Sequence, residues 1–356
     1  MFSLMKPKNK SILGVDISPT AVKILQLSCH GENPCVEGYG RKLLPDAAMD
    51  GTTIHDVDAV AATIKQLVSS SHFSTDQVAV AVPDASAISK VIQMNQGMSE
   101  SEIEEFVLIE ADKYIPFPID EINIDFNILG PSSKNSAMHD ILIVASRAEN
   151  VNNRVEVLRL AGLDVKVVDV ESYAVERAAS LLKSNLPASG KNKVVAIIDI
   201  GSTHTHFLIL HNLKIIYSRD EDFGGKQLLD DIVRQYGITF QEAMQVVEKG
   251  TLLDDYQTRV LTPFYDTIFL HVKRSLQFFL STSQYHCVDH IVLAGGVARQ
   301  PDIAQLLQAH VNVPTTIASP LATFSFSHNV NRDQIIQESP SLMVACGLAL
   351  RHKVKR

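Results

Sequence analysis

Tryptophan is absent from this 356-residue sequence, and cysteine is scarce. The four cysteines form neither the CxxC pairs of a zinc site nor the dense pattern of a secreted disulfide scaffold, so free thiols in a reducing cytosol are expected. No stretch reaches the roughly eighteen apolar residues of a membrane span, and residues 1–10 are too short and polar for the apolar part of a signal peptide. We therefore predict a cytoplasmic protein that does not insert itself into a membrane.

An excess of basic charge is also missing. The formal net charge of -8 excludes the electrostatic footprint of a dedicated nucleic-acid-binding protein. Hydrophobic residues make up 46% of the chain and charged residues 20%, which is typical of a folded globular protein. Because 356 residues exceed what one hydrophobic core usually fills, two lobes or two domains are expected.

The two halves of the chain begin with the same pattern. Apolar runs at 12–17, 21–28 and 35–43 are separated by turn residues and predict an antiparallel meander. The runs at 194–200, 204–210 and 214–219 repeat it after a linker-like segment. Helical patterns and further strands follow each meander. The sequence therefore predicts an α/β fold of two lobes, each with a mixed sheet covered by helices.

A separate unit is predicted between the halves, at about residues 84–168. Its clearest helix starts near Ser99, where Ser99 with Glu102 has the spacing of a capping box. The order of its elements is strand, helix, strands, helix and strand. The apolar stripe of the first helix is expected to cover the sheet of this unit, and its members are Ile103, Val107, Ala111 and Tyr114.

Both meanders carry an acidic residue and small polar residues at their first hairpin tip. The tips consist of Asp16, Ser18 and Thr20 in the first half, and of Asp199, Gly201, Ser202 and Thr203 in the second half. Main-chain N–H groups in such tips can bind phosphate, and a nearby carboxylate can hold magnesium through water. Either tip alone is also typical of a plain turn, but two facing tips predict a clamp on one phosphate chain.

A glycine pair follows a later strand, at Gly295 and Gly296, just before another helix. Glycine would let the backbone pass close to a nucleotide base, although a plain strand-to-helix turn has the same pattern.

These motifs together resemble the phosphate 1, phosphate 2 and adenosine motifs of the actin, Hsp70 and sugar-kinase superfamily. Five runs resemble the PilM family of type IV pilus assembly proteins, which is related to FtsA, and the resemblance covers nearly the whole chain. The runs are residues 13–23, 110–117, 223–225, 274–279 and 291–296. The resemblance implies an actin-like ATPase fold with lobe I at 1–190 and 335–356, lobe II at 191–334, and the segment 84–168 as an inserted 1C subdomain of FtsA type.

The resemblance also implies ATP and Mg²⁺ as cofactors. Asp16 and Asp199 would face the magnesium, through water, and the hydroxyl and glycine residues of both tips would face the phosphates. Gly224, Gly225, Gly295 and Gly296 would lie near the ribose and adenine. Relatives often carry Glu and Lys one turn apart in a later helix, where this chain has Met244 and Val247, so ribose recognition is expected to differ.

The implied partner is a PilN-like inner-membrane protein, whose cytoplasmic N-terminal peptide binds a groove between subdomains 1A and 1C. The pilus motor ATPases and the platform protein are candidate further partners. FtsA ends in an amphipathic membrane helix, whereas this chain stops nine residues after Gly347, so its membrane contact is expected to pass through its partner. The expected function is an ATP-binding adaptor, peripheral to the inner membrane, with slow or incidental ATP hydrolysis.

Two other functions remain open at this level: an FtsA-like filament-forming protein, and a small-molecule kinase of the same superfamily. His204 and His206 are also candidate metal ligands, because alternating residues of a strand share one face. No third ligand is evident in the sequence, so an ordinary hairpin face is the favoured interpretation.

Overall fold

The structure is a computed structural model that describes residues 11–30, 33–132, 135–250 and 254–353. The predictions about residues 1–10 and about the last three residues of the chain lie outside these ranges. Among the described helices, none has both the length and the apolar character needed to cross a lipid bilayer.

The strands of the described chain follow in this order: β1 (Leu13–Ile17), β2 (Ala21–His30), β3 (Asn33–Leu43), β4 (Met49–Asp50), β5 (Thr53–Ile54), β6 (Gln77–Val82), β7 (Ala87–Asn95), β8 (Ile122–Pro131), β9 (Met138–Arg147), β10 (Asp164–Val170), β11 (Val194–Ile200), β12 (Thr205–His211), β13 (Lys214–Glu221), β14 (His290–Ala294), β15 (Thr315–Ile317) and β16 (Ser325–Phe326).

The α-helices are α1 (Val57–Ser70), α2 (Glu100–Ala111), α3 (Ala148–Leu160), α4 (Glu171–Ala179), α5 (Lys226–Tyr236), α6 (Phe240–Lys249), α7 (Thr262–Thr282), α8 (Ile303–Val311), α9 (Arg332–Glu338) and α10 (Met343–Ala349). The π-helical turn Gln257–Leu261 leads into α7.

Each lobe is built on one mixed sheet, and the two sheets repeat one topology. The lobe I sheet has the order β10-β6-β1-β2-β3-β16, and the lobe II sheet has the order β13-β12-β11-β14-β15. In both, the first strand pairs antiparallel with the second and parallel with a later strand: β1 with β2 and β6, and β11 with β12 and β14. The predicted duplication is confirmed.

Helices α4 and α10 lie between the two sheets. They supply Val175 and Met343 to an apolar cluster that also contains Leu25 from β2 and Ile197 from β11. Small residues allow the close packing, because a Cβ on Gly347 of α10 would lie 1.8 Å from the carbonyl oxygen of Ala174 in α4. The lobes therefore share one buried layer, and their hairpin tips are held at the same end of the molecule.

The inserted unit has its own three-stranded sheet, β7-β9-β8, covered on one face by α2. Ile103, Val107 and Ala111 are buried as predicted, but Tyr114 follows the helix and is exposed. The predicted upper boundary near residue 168 is wrong, because β10 pairs with β6 and α3 packs on the lobe I core. The boundary of lobe II also needs correction, since β16 pairs with β3 of lobe I.

The predicted capping box at Ser99 is present, with the Ser99 side chain accepting from Glu102 N and the Glu102 carboxylate accepting from Ser99 N. We expect Ser99→Ala to lower the stability of the inserted unit by about 1 kcal/mol, since an N-terminal N–H of α2 loses its partner. Urea unfolding measures this. Glu105→Ala is the control, because Glu105 is exposed in the same helix and lies beyond its first turn. Equal losses in the two variants would contradict the capping role.

Candidate functional site

A cavity of about 790 Å³ lies between the lobes, at the end where both hairpin tips meet. Small-molecule sites typically enclose roughly 300–1,000 Å³, so a nucleotide-sized ligand fits this volume. The cavity is lined by most of the residues predicted as a site, namely Asp16, Ser18, Thr20, Asp199, Gly201, Ser202, Thr203, Gly225, Gly295 and Gly296. Gly224 is the exception.

The first hairpin tip presents a fixed carboxylate. Asp16 is 6% exposed and lies opposite Lys23 on β2, whose Nζ is 3.0 Å from Asp16 Oδ2. The tip is closed by Ser18, whose main-chain N and hydroxyl both donate to Ala21 O. Sequence reasoning missed Lys23, although its position opposite Asp16 follows from the predicted hairpin.

The second hairpin tip has the same construction at the end of β11. Asp199 lies opposite His206 on β12, and Gly201 N donates to His204 O at 2.9 Å. The hydroxyl of Thr203 lies 2.8 Å from Nδ1 of His204. The tip therefore exposes a short run of main chain and hydroxyl groups to the cavity, with a buried carboxylate behind it.

Gly224 and Gly225 support this tip from behind. Gly225 N donates to Gly201 O at 2.9 Å, and Lys226 N donates to Ser202 O at 2.7 Å. A Cβ on Gly224 would lie 2.5 Å from Ser202 O, so only glycine fits. The structure thus places Gly224 under the hairpin tip and outside the cavity lining. The family resemblance had placed it near the ribose and adenine.

Gly295 and Gly296 play different parts at the end of β14. Gly295 has a φ of +86°, and a Cβ on it would lie 2.2 Å from Ile200 O and 2.6 Å from Asp199 Oδ1. The close approach holds the Asp199 carboxylate beside the main chain. Gly296 faces open space, because no atom lies within 4 Å of an added Cβ.

A third acid at the end of a strand, Glu171, also lines the cavity. It was not among the site residues predicted from the sequence. It follows β10 directly, so it has the signal that identified Asp16 and Asp199. Burial raises the pKa of Glu171 to about 7, although the nearby His206 imidazole acts to lower it. Burial likewise raises the pKa of Asp199. Asp16, Asp199 and Glu171 line one cavity and could hold a cation, and oxygen ligands suit Mg²⁺.

The two candidate metal ligands His204 and His206 do not belong to one group of metal-ligating side chains in the described part of the chain. His204 precedes β12, and its Nε2 is 3.2 Å from Asp222 Oδ1. His206 instead contacts Asp220 and lies near Asp84 and Glu171, which come from distant segments of the chain. Burial acts to lower the pKa of His206, but the hydrogen bond to Asp220 and the charge of Glu171 raise it to about 10.

Helix α6 forms the remaining wall of the cavity. Met244 and Val247 line it, which gives this wall an apolar surface. At its end Glu248 accepts from Nη1 and Nη2 of Arg41 at 3.3 Å, so an ion pair joins α6 of lobe II to β3 of lobe I. The ion pair was not predicted, because Arg41 and Glu248 are far apart in the chain.

The family comparison decides the assignment of the chain. A model of the family described as type IV pilus assembly protein PilM matches residues 14–353. This chain belongs to the PilM family.

Solved structures agree with the PilM family assignment. The PilM-PilN type IV pilus biogenesis complex matches with a TM-score of 0.81 and 26% identity, covering 98% of this chain and 100% of that chain. The ethanolamine utilization protein EutJ from Carboxydothermus hydrogenoformans matches with a TM-score of 0.59 and 15% identity, and the match covers 98% of this chain and 92% of that chain. MreB5 of Spiroplasma citri bound to ADP matches with a TM-score of 0.52 and 14% identity, and the match covers 98% of this chain and 97% of that chain. The predicted two-lobed, actin-like fold is confirmed.

Proposed function

We propose that this PilM family member is a nucleotide-binding adaptor of the type IV pilus inner-membrane complex. It binds Mg-ATP between the lobes, binds the cytoplasmic N-terminal peptide of a PilN-like protein, and stays peripheral to the inner membrane through that partner. The observation that carries the proposal is the match over 98% of the chain to a PilM-PilN complex.

The geometry of the cleft supports ATP as the ligand. Facing tips with exposed main chain suit a polyphosphate, and the carboxylates of Asp16 and Asp199 suit Mg²⁺ held through water. Gly225, Gly295 and Gly296 would contact the nucleoside. MreB5, which shares the fold, was solved with ADP. The apolar wall of Met244 and Val247 would contact the ribose without a charged partner.

The peptide would bind between α4 of lobe I and the inserted sheet. The face of that sheet opposite α2 carries Ser89 and Val91 on β7, and Leu142 and Val144 pair with them on β9. Val91 is 50% exposed, and the hydroxyl of Tyr173 in α4 donates to Ser89 Oγ at 2.9 Å, which closes one end. Apolar side chains between polar edges suit a short extended peptide.

The cleft and the groove share a wall. Asp84, at the start of the inserted unit, accepts a hydrogen bond from Ser172 N at the start of α4. The neighbouring Glu171 lines the cleft, and the neighbouring Tyr173 reaches the groove. A ligand that moves the start of α4 therefore changes both sites, and we expect their affinities to be coupled.

The test is a calorimetric titration of a peptide matching the cytoplasmic N-terminus of the PilN-like partner, with and without Mg-ATP. We expect saturable binding that Val91→Lys weakens at least about tenfold, because a charge replaces an apolar contact in the groove. We also expect Mg-ATP to change the peptide affinity by about fivefold or more.

Ile109→Lys is the matched control. Ile109 is 65% exposed on α2, away from the groove, so the same substitution should leave peptide binding unchanged. Absence of peptide binding under both conditions would refute the adaptor function. Equal effects of the two substitutions would show that the peptide binds elsewhere.

A further inference from the structure

His206 lines the cavity between the lobes and lies among carboxylates from both lobes. Its Nδ1 is 2.6 Å from Asp220 Oδ1 on the neighbouring strand and 4.0 Å from Asp84 Oδ2 of lobe I. Its Nε2 is 3.6 Å from Glu171 Oε2, also of lobe I. All four side chains are largely buried, with exposed fractions of 16–24%.

The His206 imidazole interacts with four carboxylates. Besides Asp84, Glu171 and Asp220, the carboxylate of Asp199 interacts with His206. Two further cations act on these carboxylates, since Lys23 interacts with Asp199 and Arg154 interacts with Glu171. Lys23 pairs with Asp16, and the buried Arg154 donates to main-chain oxygens of Ala81, Asn150 and Thr52. A divalent cation bound here would be stabilised by the carboxylates around His206.

We propose that Asp84, His206 and Asp220 form a binding site for a divalent transition-metal ion, with Zn²⁺ as the best fit. One imidazole nitrogen and carboxylate oxygens are a donor set that Zn²⁺ accepts, with water in the fourth position. The three ligand atoms lie within 4.8 Å of one another. Because Zn–N and Zn–O bonds are about 2.0–2.2 Å, small carboxylate rotations bring all three atoms into the first shell.

The position of Glu171 is an independent argument for this site. Metal-binding histidines usually donate their second N–H to a carboxylate, which sets the tautomer and the ring orientation. Glu171 lies on the Nε2 side of His206, opposite the two predicted metal ligands on the Nδ1 side. The metal would replace the proton on Nδ1, and Nε2 would keep its proton toward Glu171.

A metal here would connect the lobes. Asp84 belongs to lobe I, at the start of the inserted unit, whereas His206 and Asp220 lie on β12 and β13 of lobe II. The ion would therefore restrain movement of the lobes beside the cleft. Its ligands differ from Asp16 and Asp199, which the proposed function assigns to Mg²⁺, so the two proposals are tested separately.

The experiment titrates Zn²⁺ into chelator-treated, nucleotide-free protein by calorimetry and follows thermal stability. We expect one ion per chain and a higher Tm with zinc. His206→Gln should weaken zinc binding by about 100-fold and Asp220→Asn by about tenfold or more, because each substitution removes a proposed metal ligand. His211→Gln is the control, because His211 lies at the other end of the same strand, where its Nδ1 contacts the amide of Asn212.

Either of two results would overturn the site: no stoichiometric binding by the unmodified protein, or equal binding by the His206→Gln and His211→Gln variants. A loss in His204→Gln that exceeds the loss in His206→Gln would also overturn it, by placing zinc at Asp222. Asp220→Asn keeps the size of the side chain, so it decides the matter if His206→Gln fails to fold. Since no nucleotide is present, a failure of ATP binding leaves these outcomes unaffected.

Discussion

Asp199→Asn is expected to lower the affinity for Mg-ATP by about 100-fold while raising the thermal stability of the nucleotide-free protein. The carboxylate would hold magnesium through water, and an amide carries no charge to do so. Without ligand, the same carboxylate is an unfavourable buried charge, as its raised pKa shows. Calorimetry with and without Mg²⁺ measures the first effect, and thermal unfolding measures the second.

The pH dependence of the stability gain follows from the same burial. The folded pKa of Asp199 is raised, so the ionised side chain costs stability at neutral pH. The cost disappears as the pH falls below the unfolded value of about 3.9, where the carboxyl is protonated in both states. We therefore expect the advantage of Asp199→Asn to shrink on acidification.

Asp222→Asn serves as the control for this prediction. Its side chain is 96% exposed just beyond β13, outside the cavity lining. The substitution should change neither the Mg-ATP affinity nor the Tm. Wild-type affinity in Asp199→Asn, or ATP binding that is the same with and without Mg²⁺, would contradict the assignment of Asp199 to the metal.

Alanine at Gly295 and at Gly296 should have opposite consequences. Gly295→Ala is expected to cost about 3 kcal/mol or more of stability, because its φ is +86° and the new Cβ would overlap the main chain of Ile200. Gly296→Ala should change stability by less than about 0.5 kcal/mol, since its φ is −65° and its Cβ meets no atom.

Nucleotide binding separates the two roles further. The Cβ of Gly296→Ala would project into the open space of the cavity, where the proposed function places the nucleoside. We expect it to weaken ATP binding about tenfold or more in a fully folded protein. Urea unfolding and calorimetry on the same samples measure both quantities. Unchanged ATP affinity in Gly296→Ala would show that the nucleoside does not lie against this wall of the cavity.

The hairpin tips were predictable because their signals are local. Each combines an apolar strand, an acid at its end and small turn residues, and this pattern occurs twice along the chain, at Asp16 and at Asp199. The capping box at Ser99 is local in the same sense, and it is present. The family motifs added the glycine pair at 295 and 296, and the structure places both glycines in the cavity lining.

The errors concern which sheet a segment joins. Most of β10 was included in the inserted unit as its last strand, but β10 pairs with β6. β16 was assigned to lobe II, but it pairs with β3. Apolar alternation predicts that a segment is a strand without selecting its partner, which depends on the surfaces left uncovered by the rest of the fold.

The sequence by itself therefore determined the duplicated lobes, the two carboxylates at the hairpin tips and the family. These features depend on periodicity, turn residues and short motifs, which neighbouring residues encode. Only the tertiary structure decided that His206 meets Asp84, Glu171 and Asp220, and that Arg41 meets Glu248 across the cleft. These groups come from segments far apart in the chain, and they approach one another only because α4 and α10 bring the two sheets together.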